Sequence, residues 1–280
     1  MTESSSSSRR RTMKLAALVA AGTFVAGCAE NAPQDIFQPA GENAENIDGL
    51  TRLVFYIALA VGIVTFTAVG YAVWRYRDRG QPIPEQTHGK PALEIGLTIL
   101  PALILVGVAI PTVSVLMDLA ETDDTECIVN VTGQQWWWEF DYPVQDGCGG
   151  IEAPIVTSGQ MVIPADMNVL IRGTSRDVIH SFWIPKLNGK RDMVPGRVHT
   201  LRMQANEPGI YAGQCAEFCG LSHANMRMEV VALDDADFET WKANQLEEYT
   251  PPEAGTLAAD GEQTFIANCS RCHQVDGLLD

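Results

Sequence analysis

The sequence is poor in basic residues. Lysine and arginine together number 19, against 35 aspartate and glutamate residues, and the formal net charge is −16 at pH 7. A chain with this charge repels phosphate backbones, so the composition disfavours nucleic acid as a partner. The acidic excess would steer a basic partner protein towards the chain, and solvation of an exported domain is an equally available explanation.

Charge is absent from two long runs of the sequence. Leu53–Trp74 contains 22 residues and Ile95–Met117 contains 23 residues without a charged side chain. Each run exceeds the roughly 20 residues that cross a hydrocarbon core. Apolar residues fill every face, whereas a helix in the core of a soluble protein usually carries one apolar stripe. The pattern predicts two membrane-spanning helices.

The basic residues near these spans predict their orientation. The short loop between the spans contains Arg75, Arg77, Arg79 and Lys90. The residues after Met117 are acidic, namely Asp118, Glu121, Asp123, Asp124 and Glu126. The positive-inside rule therefore places the loop in the cytoplasm and both termini on the periplasmic side of a bacterial plasma membrane.

The first 28 residues are typical of an export signal. A basic start containing Arg9, Arg10, Arg11 and Lys14 precedes the apolar stretch Leu15–Val25, and small residues follow. Val25–Cys28 is similar to a bacterial lipobox, which predicts that Cys28 becomes a lipidated N-terminus after cleavage. An uncleaved first anchor is the alternative, but the apolar run is short for a membrane span. Residues 29–49 are polar and contain prolines, which predicts an exposed tether.

The pattern changes to short β-type runs between Glu126 and Leu233. The runs are Ile128–Val131, Trp136–Phe140, Val169–Ile171, Val198–Met203 and Met228–Leu233. Glycine and proline separate them, so the segment predicts a β-sandwich of about 100 residues. Cys127 and Cys148 bracket the tryptophan-rich run and would face an oxidising compartment, which makes them candidates for a disulfide; two free thiols are the alternative.

Soft metal ligands concentrate between Gly213 and Met226. The four side chains are Cys215, Cys219, His223 and Met226. Two thiolates, an imidazole and a thioether suit copper better than magnesium, calcium or manganese. His180 follows a β-type run and precedes Pro185, so it is the best candidate for a second imidazole. The cysteines and histidines alone also suit a tetrahedral zinc site, and the two cysteines alone suit a disulfide.

The string C-x-E-x-C-x₃-H-x₂-M, with Asp-Val-x-His-Ser-Phe upstream, closely resembles the binuclear copper A site of cytochrome c oxidase subunit II. The resemblance implies a cupredoxin-like domain in which two copper ions share the sulfurs of two cysteines. The implied ligands are Cys215 and Cys219 as bridges, His180 and His223 as terminal ligands, and Met226 and the Glu217 backbone carbonyl as axial ligands. It also implies that the Glu217 side chain binds magnesium at the contact with subunit I.

Three further positions are similar to that family. Gly133–Phe140 matches the family's tryptophan-rich string, which implies that electrons from cytochrome c enter through Trp136. Lys190–Arg197 matches a loop near subunit I. Glu94 matches a glutamate at the mouth of a proton path into subunit I, although Leu97 replaces the usual tryptophan. A favourable interaction with the helix dipole is the alternative explanation for Glu94.

A C-x-x-C-H motif near the C-terminus is the attachment site of a c-type haem. Cys269 and Cys272 would form the thioethers, and His273 would be the proximal iron ligand. Seven residues follow His273, and none is methionine. The sequence therefore predicts an incomplete class I cytochrome c domain, and the whole protein resembles a subunit II with a fused cytochrome c.

The predicted organisation has six parts. They are a signal peptide with lipobox at 1–28, a tether at 29–49, a transmembrane hairpin at 50–118, a cupredoxin copper A domain at 119–234, an acidic linker helix at 235–255 and the incomplete α-helical cytochrome c domain at 256–280.

The resemblance implies subunit II of a haem-copper terminal oxidase. Its donor would be cytochrome c, a cytochrome bc1-type complex or the fused haem. Its partners would be subunit III and subunit I, where oxygen is reduced to water and protons are translocated. The copper A subunit of a nitric oxide reductase and a membrane-tethered copper carrier are alternatives. Copper-ligating cysteines exclude the subunit II of a quinol oxidase.

Overall fold

The computed structural model describes residues 32–82, 85, 88–270 and 273, together with residues 14, 15, 18, 19 and 22. The predicted lipidation site Cys28 and the predicted haem-binding Cys272 lie outside the described residues. From residue 32 onwards the described chain forms two long helices, then a β-sandwich and two short helices.

The two long helices contain the two predicted spans. Helix α1 is Glu42–Arg75, and helix α2 is Pro91–Ala120. No residue is buried in the most apolar window of either helix, as expected for surfaces that face lipid or another subunit. Pro101 and Pro111 lie inside α2, a placement that membrane helices tolerate better than soluble ones. The predicted pair of membrane-spanning helices is confirmed.

Helix α1 begins eight residues before the predicted start of the hairpin at residue 50. Its first turn packs on the sandwich, where Asn43 is 3% exposed and donates from Nδ2 to the backbone carbonyl of Arg202 at 2.7 Å. At Gly41 an added Cβ would lie 2.2 Å from the Gln204 carbonyl oxygen, so only glycine permits this approach. The prediction of an exposed tether is therefore wrong for residues 42–49, because tertiary contacts extend the helix.

Arg202 joins the sandwich to both long helices. Its nearly buried guanidinium lies 3.9 Å from a carboxylate oxygen of Glu42 and 3.9 Å from one of Asp118. It also donates to Asn43 Oδ1 at 3.2 Å. Both carboxylates are about half exposed, so these ion pairs contribute little to the free energy of unfolding. Their main effect is to orient the guanidinium of Arg202. Arg202 and Asn43 therefore mark the contact between the sandwich and the hairpin.

The sandwich contains two five-stranded sheets. The strands are β1 Cys127–Gln134, β2 Trp137–Tyr142, β3 Ile155–Ser158, β4 Gln160–Pro164, β5 Val169–Ser175, β6 His180–Trp183, β7 Arg191–Met193, β8 His199–Met203, β9 Gly209–Cys215 and β10 Arg227–Leu233. The strand orders are β3-β2-β1-β5-β8 and β4-β10-β9-β6-β7. The pairs β1/β5 and β4/β10 are parallel, and the remaining pairs are antiparallel. The predicted β-sandwich is confirmed.

Side chains of β2 point alternately inwards and outwards. The inward-pointing ones build the part of the core that lies beneath the predicted metal ligands. Trp138, Phe140 and Tyr142 point inwards and are fully buried. Trp136 and Trp137 are 36% and 40% exposed. The three adjacent tryptophans therefore divide into one core residue and two surface residues.

Two short helices follow the sandwich. Helix α3, Asp235–Gln245, lies within the predicted linker helix, and helix α4, Leu257–Asn268, leads to the haem motif. Phe238 of α3 is buried, and Lys242 is 6% exposed. The Lys242 ammonium donates to the carbonyls of Cys148, Gly149 and Gly150 at 2.9 to 3.1 Å. Helix α3 is therefore docked on the sandwich.

A disulfide joins Cys127, at the start of β1, to Cys148, with 4.6 Å between the Cα atoms. We expect the double variant Cys127→Ala, Cys148→Ala to lower the free energy of unfolding by about 3 kcal/mol, because the bond restricts the unfolded chain. Denaturant unfolding of the detergent-solubilised full chain measures the loss. The unmodified chain is the control. Equal midpoints for the double variant and the control would contradict the prediction.

Candidate metal centre

Three neighbouring strands bring the predicted ligands to one end of a sheet. His180 begins β6, Cys215 ends β9, and Met226 directly precedes β10. Strand β9 lies between β10 and β6 in the sheet, and Phe182 of β6 pairs with Cys215. The loop from β9 to β10 carries the remaining ligands, and it closes where Cys215 N–H donates to the Met226 carbonyl at 2.9 Å. Strand pairing therefore places residues distant in sequence beside one another.

The donor atoms of the predicted ligands converge around the two cysteine sulfurs. The Sγ atoms of Cys215 and Cys219 are 3.8 Å apart. Cys215 Sγ lies 3.8 Å from His180 Nδ1 and 3.3 Å from the Glu217 carbonyl oxygen. Cys219 Sγ lies 3.6 Å from His223 Nδ1 and 3.7 Å from Met226 Sδ. The other four predicted donors thus lie around this pair of sulfurs.

These separations match the spacing of ligands around shared metal ions. Two ligands about 2.3 Å from one ion lie about 3.8 Å apart at a tetrahedral angle. The thioether of Met226 is fully buried and faces Cys219, so a zinc site using only cysteine and histidine would leave a soft donor unused. The residues therefore fit a pair of copper ions better than a single zinc ion.

Burial controls the protonation of this site. The side chains of His180, Cys215, Cys219 and Met226 are at most 4% exposed. Burial, assisted by the neighbouring Cys215, raises the pKa of the Cys219 thiol to about 12. The metal-free thiol is therefore protonated at neutral pH, and binding of a metal cation must displace its proton.

Asp177 fixes the orientation of the first histidine. One carboxylate oxygen accepts a hydrogen bond from His180 Nε2 at 2.8 Å, and the other accepts one from the Gln135 backbone N–H at 2.7 Å. Partial burial acts to raise the pKa of Asp177, but hydrogen bonds from Gln135 and His180 outweigh burial and lower it. A proton on Nε2 leaves Nδ1, which faces Cys215, free to bind metal. Sequence reasoning missed this role, although the Asp-x-x-His spacing was a usable signal.

Trp136 covers the metal loop from the surface. Its indole Nε1–H donates to the Cys219 carbonyl at 3.2 Å. Gln135 donates from Nε2 to the same carbonyl at 2.7 Å, and sequence reasoning missed this contact as well. Lys190, from another string singled out in the sequence, lines a cavity of about 530 Å³ together with Cys215 and His223.

Two groups of predicted site residues lie apart from this centre. Glu94 is in the first turn of α2, on the order of 40 Å along the helix from the end that leads into the sandwich. Cys269 is exposed at the end of α4, and its carbonyl accepts a hydrogen bond from the His273 N–H at 2.9 Å. The structure therefore gives these residues no part in the cysteine cluster.

Comparison with known proteins identifies the family. The family model for the cytochrome c oxidase subunit II periplasmic domain matches residues 147–233, and the model for its transmembrane domain matches residues 30–115. Cytochrome c oxidase subunit 2 of Alkalihalophilus pseudofirmus is 37% identical over 265 residues, which cover 91% of this chain and 74% of that protein. The chain belongs to the cytochrome c oxidase subunit II family.

This subunit II chain is also similar to a second sequence relative and to a solved structure. Cytochrome c oxidase subunit 2 of Bacillus subtilis is 32% identical over 258 residues, which cover 85% of this chain and 70% of that protein. A crystal structure of the periplasmic domain of subunit II of cytochrome oxidase from Bradyrhizobium japonicum is 27% identical, with a TM-score of 0.40. That comparison covers 45% of this chain and 96% of the solved domain.

Family membership confirms several predictions. This subunit II is a membrane protein with two spanning helices and a cupredoxin-like periplasmic domain. It belongs to a haem-copper oxidase complex, in which its partner is subunit I. Its His180, Cys215 and Cys219 form a group able to hold a metal ion, as expected for a copper A-type subunit.

Proposed function

We propose that this subunit II receives electrons from a c-type haem through Trp136 and delivers them to subunit I, where oxygen is reduced to water and protons are translocated. A binuclear copper A centre would be held by the six donors described above. When bound, the copper ions supply reversible one-electron chemistry. The observation that carries the proposal is the convergence of these donors on the sulfurs of Cys215 and Cys219.

The chain's own contribution is a largely buried ligand cage with fixed positions. His180 is fixed between the Asp177 carboxylate and the Trp138 ring, whose centroid is 5.9 Å from the imidazole centroid. Cys215 is the last residue of β9, so its backbone belongs to the sheet. Ligands held in this way cannot rearrange freely when an electron arrives or leaves. A small structural change favours fast transfer.

Trp136 supports the proposed route because it reaches from solvent to a ligand residue. It is 36% exposed, and its indole N–H contacts the Cys219 carbonyl. A donor that touches the outer edge of the ring would therefore be separated from the ligand cage by one side chain. The acidic excess of the sequence supports a basic cytochrome as that donor.

Five further assignments belong to the same proposal. The Glu217 side chain would bind magnesium at the contact with subunit I, and Glu94 would lie at the mouth of a proton path. Cys269, Cys272 and His273 would attach a c-type haem, and Cys28 would carry a lipid. The N- and C-termini would both lie in the periplasm. The motifs support these roles, and mass spectrometry of the full chain would detect the covalent haem and the lipid.

Electron paramagnetic resonance of the purified oxidase complex tests the central assignment. We expect one unpaired electron shared equally by two copper nuclei, and twice as many copper ions as subunit II chains in the isolated subunit. A labile single cuprous ion without a mixed-valence spectrum would contradict the proposal and favour a copper carrier. Reduction of nitric oxide instead of oxygen by the complex would identify the reductase alternative.

A further inference from the structure

The Cys219 carbonyl accepts two hydrogen bonds from adjacent surface residues. Gln135 Nε2 donates at 2.7 Å, and Trp136 Nε1 donates at 3.2 Å. The shorter contact comes from the glutamine, and the indole contact is near the long end of the normal range. The glutamine amide is therefore the firmer of the two attachments to the metal loop.

The backbone of Gln135 is held from a second direction. Its N–H donates to Asp177 Oδ2 at 2.7 Å, and the other oxygen of Asp177 contacts His180. Gln135 thus bridges the loop that carries Cys219 and the loop that orients His180. Trp136 is the next residue, so the position of its backbone depends on this bridge.

The absence of a side chain at residue 220 makes room for both groups. Gly220 has a φ of +120°, and an added Cβ would lie 3.0 Å from Gln135 Nε2 and 3.2 Å from Trp136 Cζ2. The amide and the indole therefore pack directly over the glycine. This close packing limits the positions open to the ring while Gln135 stays in place.

We propose that Gln135 is a positioning residue that holds the Trp136 indole against the Cys219 carbonyl. The inference rests on the proposed function, because it assigns Gln135 a role only if electrons pass through Trp136. Gln135 lies at the surface, so its replacement leaves the packed core intact. Its effect is on the geometry of electron transfer, which responds to displacements of about 1 Å.

A double-mutant cycle on the assembled oxidase tests this role. Gln135→Met keeps the length of the side chain and removes its N–H donors. We expect kcat/KM for reduced soluble cytochrome c to fall about tenfold in this variant. Trp136→Phe should by itself lower the same constant by about tenfold or more, and Gln135→Met should add nothing in the Trp136→Phe background.

Gln134→Met is the matched control. Gln134 is the neighbouring glutamine, and its side-chain oxygen accepts a hydrogen bond from Arg176 at 3.4 Å on the strand side of the loop. We expect kcat/KM to be unchanged in this variant. Copper content and the copper resonance spectrum should match the unmodified oxidase in all four proteins.

Each other result would overturn the inference. An unchanged kcat/KM in Gln135→Met would remove the positioning role. Equal losses in the presence and absence of Trp136 would show that Gln135 acts independently of the ring. An altered copper spectrum would assign Gln135 to the ligand cage instead. If Trp136→Phe alone has no effect while copper is retained, the proposed electron route through Trp136 fails, and that failure is distinct from the other three.

Discussion

The Cys219→Ser variant is expected to lose bound copper and to oxidise cytochrome c at least about a hundredfold more slowly in the assembled oxidase. Replacing a residue that only orients a metal ligand typically costs 10- to 100-fold in affinity or activity, and Cys219 is predicted to be a ligand itself. The expected effect is the largest in the molecule because this sulfur is central to the cluster.

The geometry of Cys219 explains the expected loss. Its sulfur lies 3.8 Å from Cys215 Sγ, 3.6 Å from His223 Nδ1 and 3.7 Å from Met226 Sδ. Serine offers a harder and shorter hydroxyl group that could not replace the thiolate by which Cys219 would hold two soft ions. The variant should therefore also lack the mixed-valence resonance signal.

Elemental analysis and electron paramagnetic resonance of the purified protein measure this outcome. Cys269→Ser is the control for copper content alone, because Cys269 is an exposed cysteine that lies outside the cluster, at the proposed haem attachment. Its copper content and copper signal should be unchanged. Normal copper content with an intact mixed-valence signal in Cys219→Ser would refute the assignment of the bridge.

Replacement of Trp138 with alanine is expected to lower the free energy of unfolding by about 3 to 5 kcal/mol. The ring is fully buried, and its centroid lies 5.3 Å from that of Phe182 and 5.9 Å from that of His180. Its Nε1 has no hydrogen-bond partner among the described residues, so the loss comes from packing and the cavity that remains. Because the cavity borders His180, copper affinity should also fall.

Trp137→Ala provides a close comparison, since it is the same chemical change at the adjacent position. Trp137 is 40% exposed, and we expect its replacement to cost less than about 1 kcal/mol. Denaturant unfolding of the detergent-solubilised full chain measures both variants, and copper titration follows the site. Similar losses of stability in the two variants would contradict the inward placement of Trp138.

The spans and most of the metal ligands were predictable because their signals are local. Apolar runs long enough to cross a membrane depend only on composition and length, and both became helices. Four of the predicted ligands, Cys215, Cys219, His223 and Met226, lie within twelve residues of the chain, so their spacing could be seen without knowledge of the fold. His180 was more difficult: the prediction placed it after a β-type run, whereas it is the first residue of β6.

Other elements escaped prediction because their stability comes from distant partners. Strands β6 and β7 are only four and three residues long, and β9 contains Gly209 and Gly213. Pairing with neighbouring strands makes them extended, whereas their own residues give a weak β pattern. The early start of α1 has a similar cause, because contacts between Asn43 and Arg202 order residues that read as a tether.

Two membrane spans, a β-sandwich and a segment rich in soft metal ligands could be predicted from residue patterns alone, since apolar length, alternation and ligand spacing are properties of short segments. Folding is what brings His180 to Cys215, lets Asp177 orient that imidazole, and lets Gln135 and Trp136 share the Cys219 carbonyl. These contacts join residues far apart in the chain, and the pairing of β9 with β6 and β10 is what brings them together.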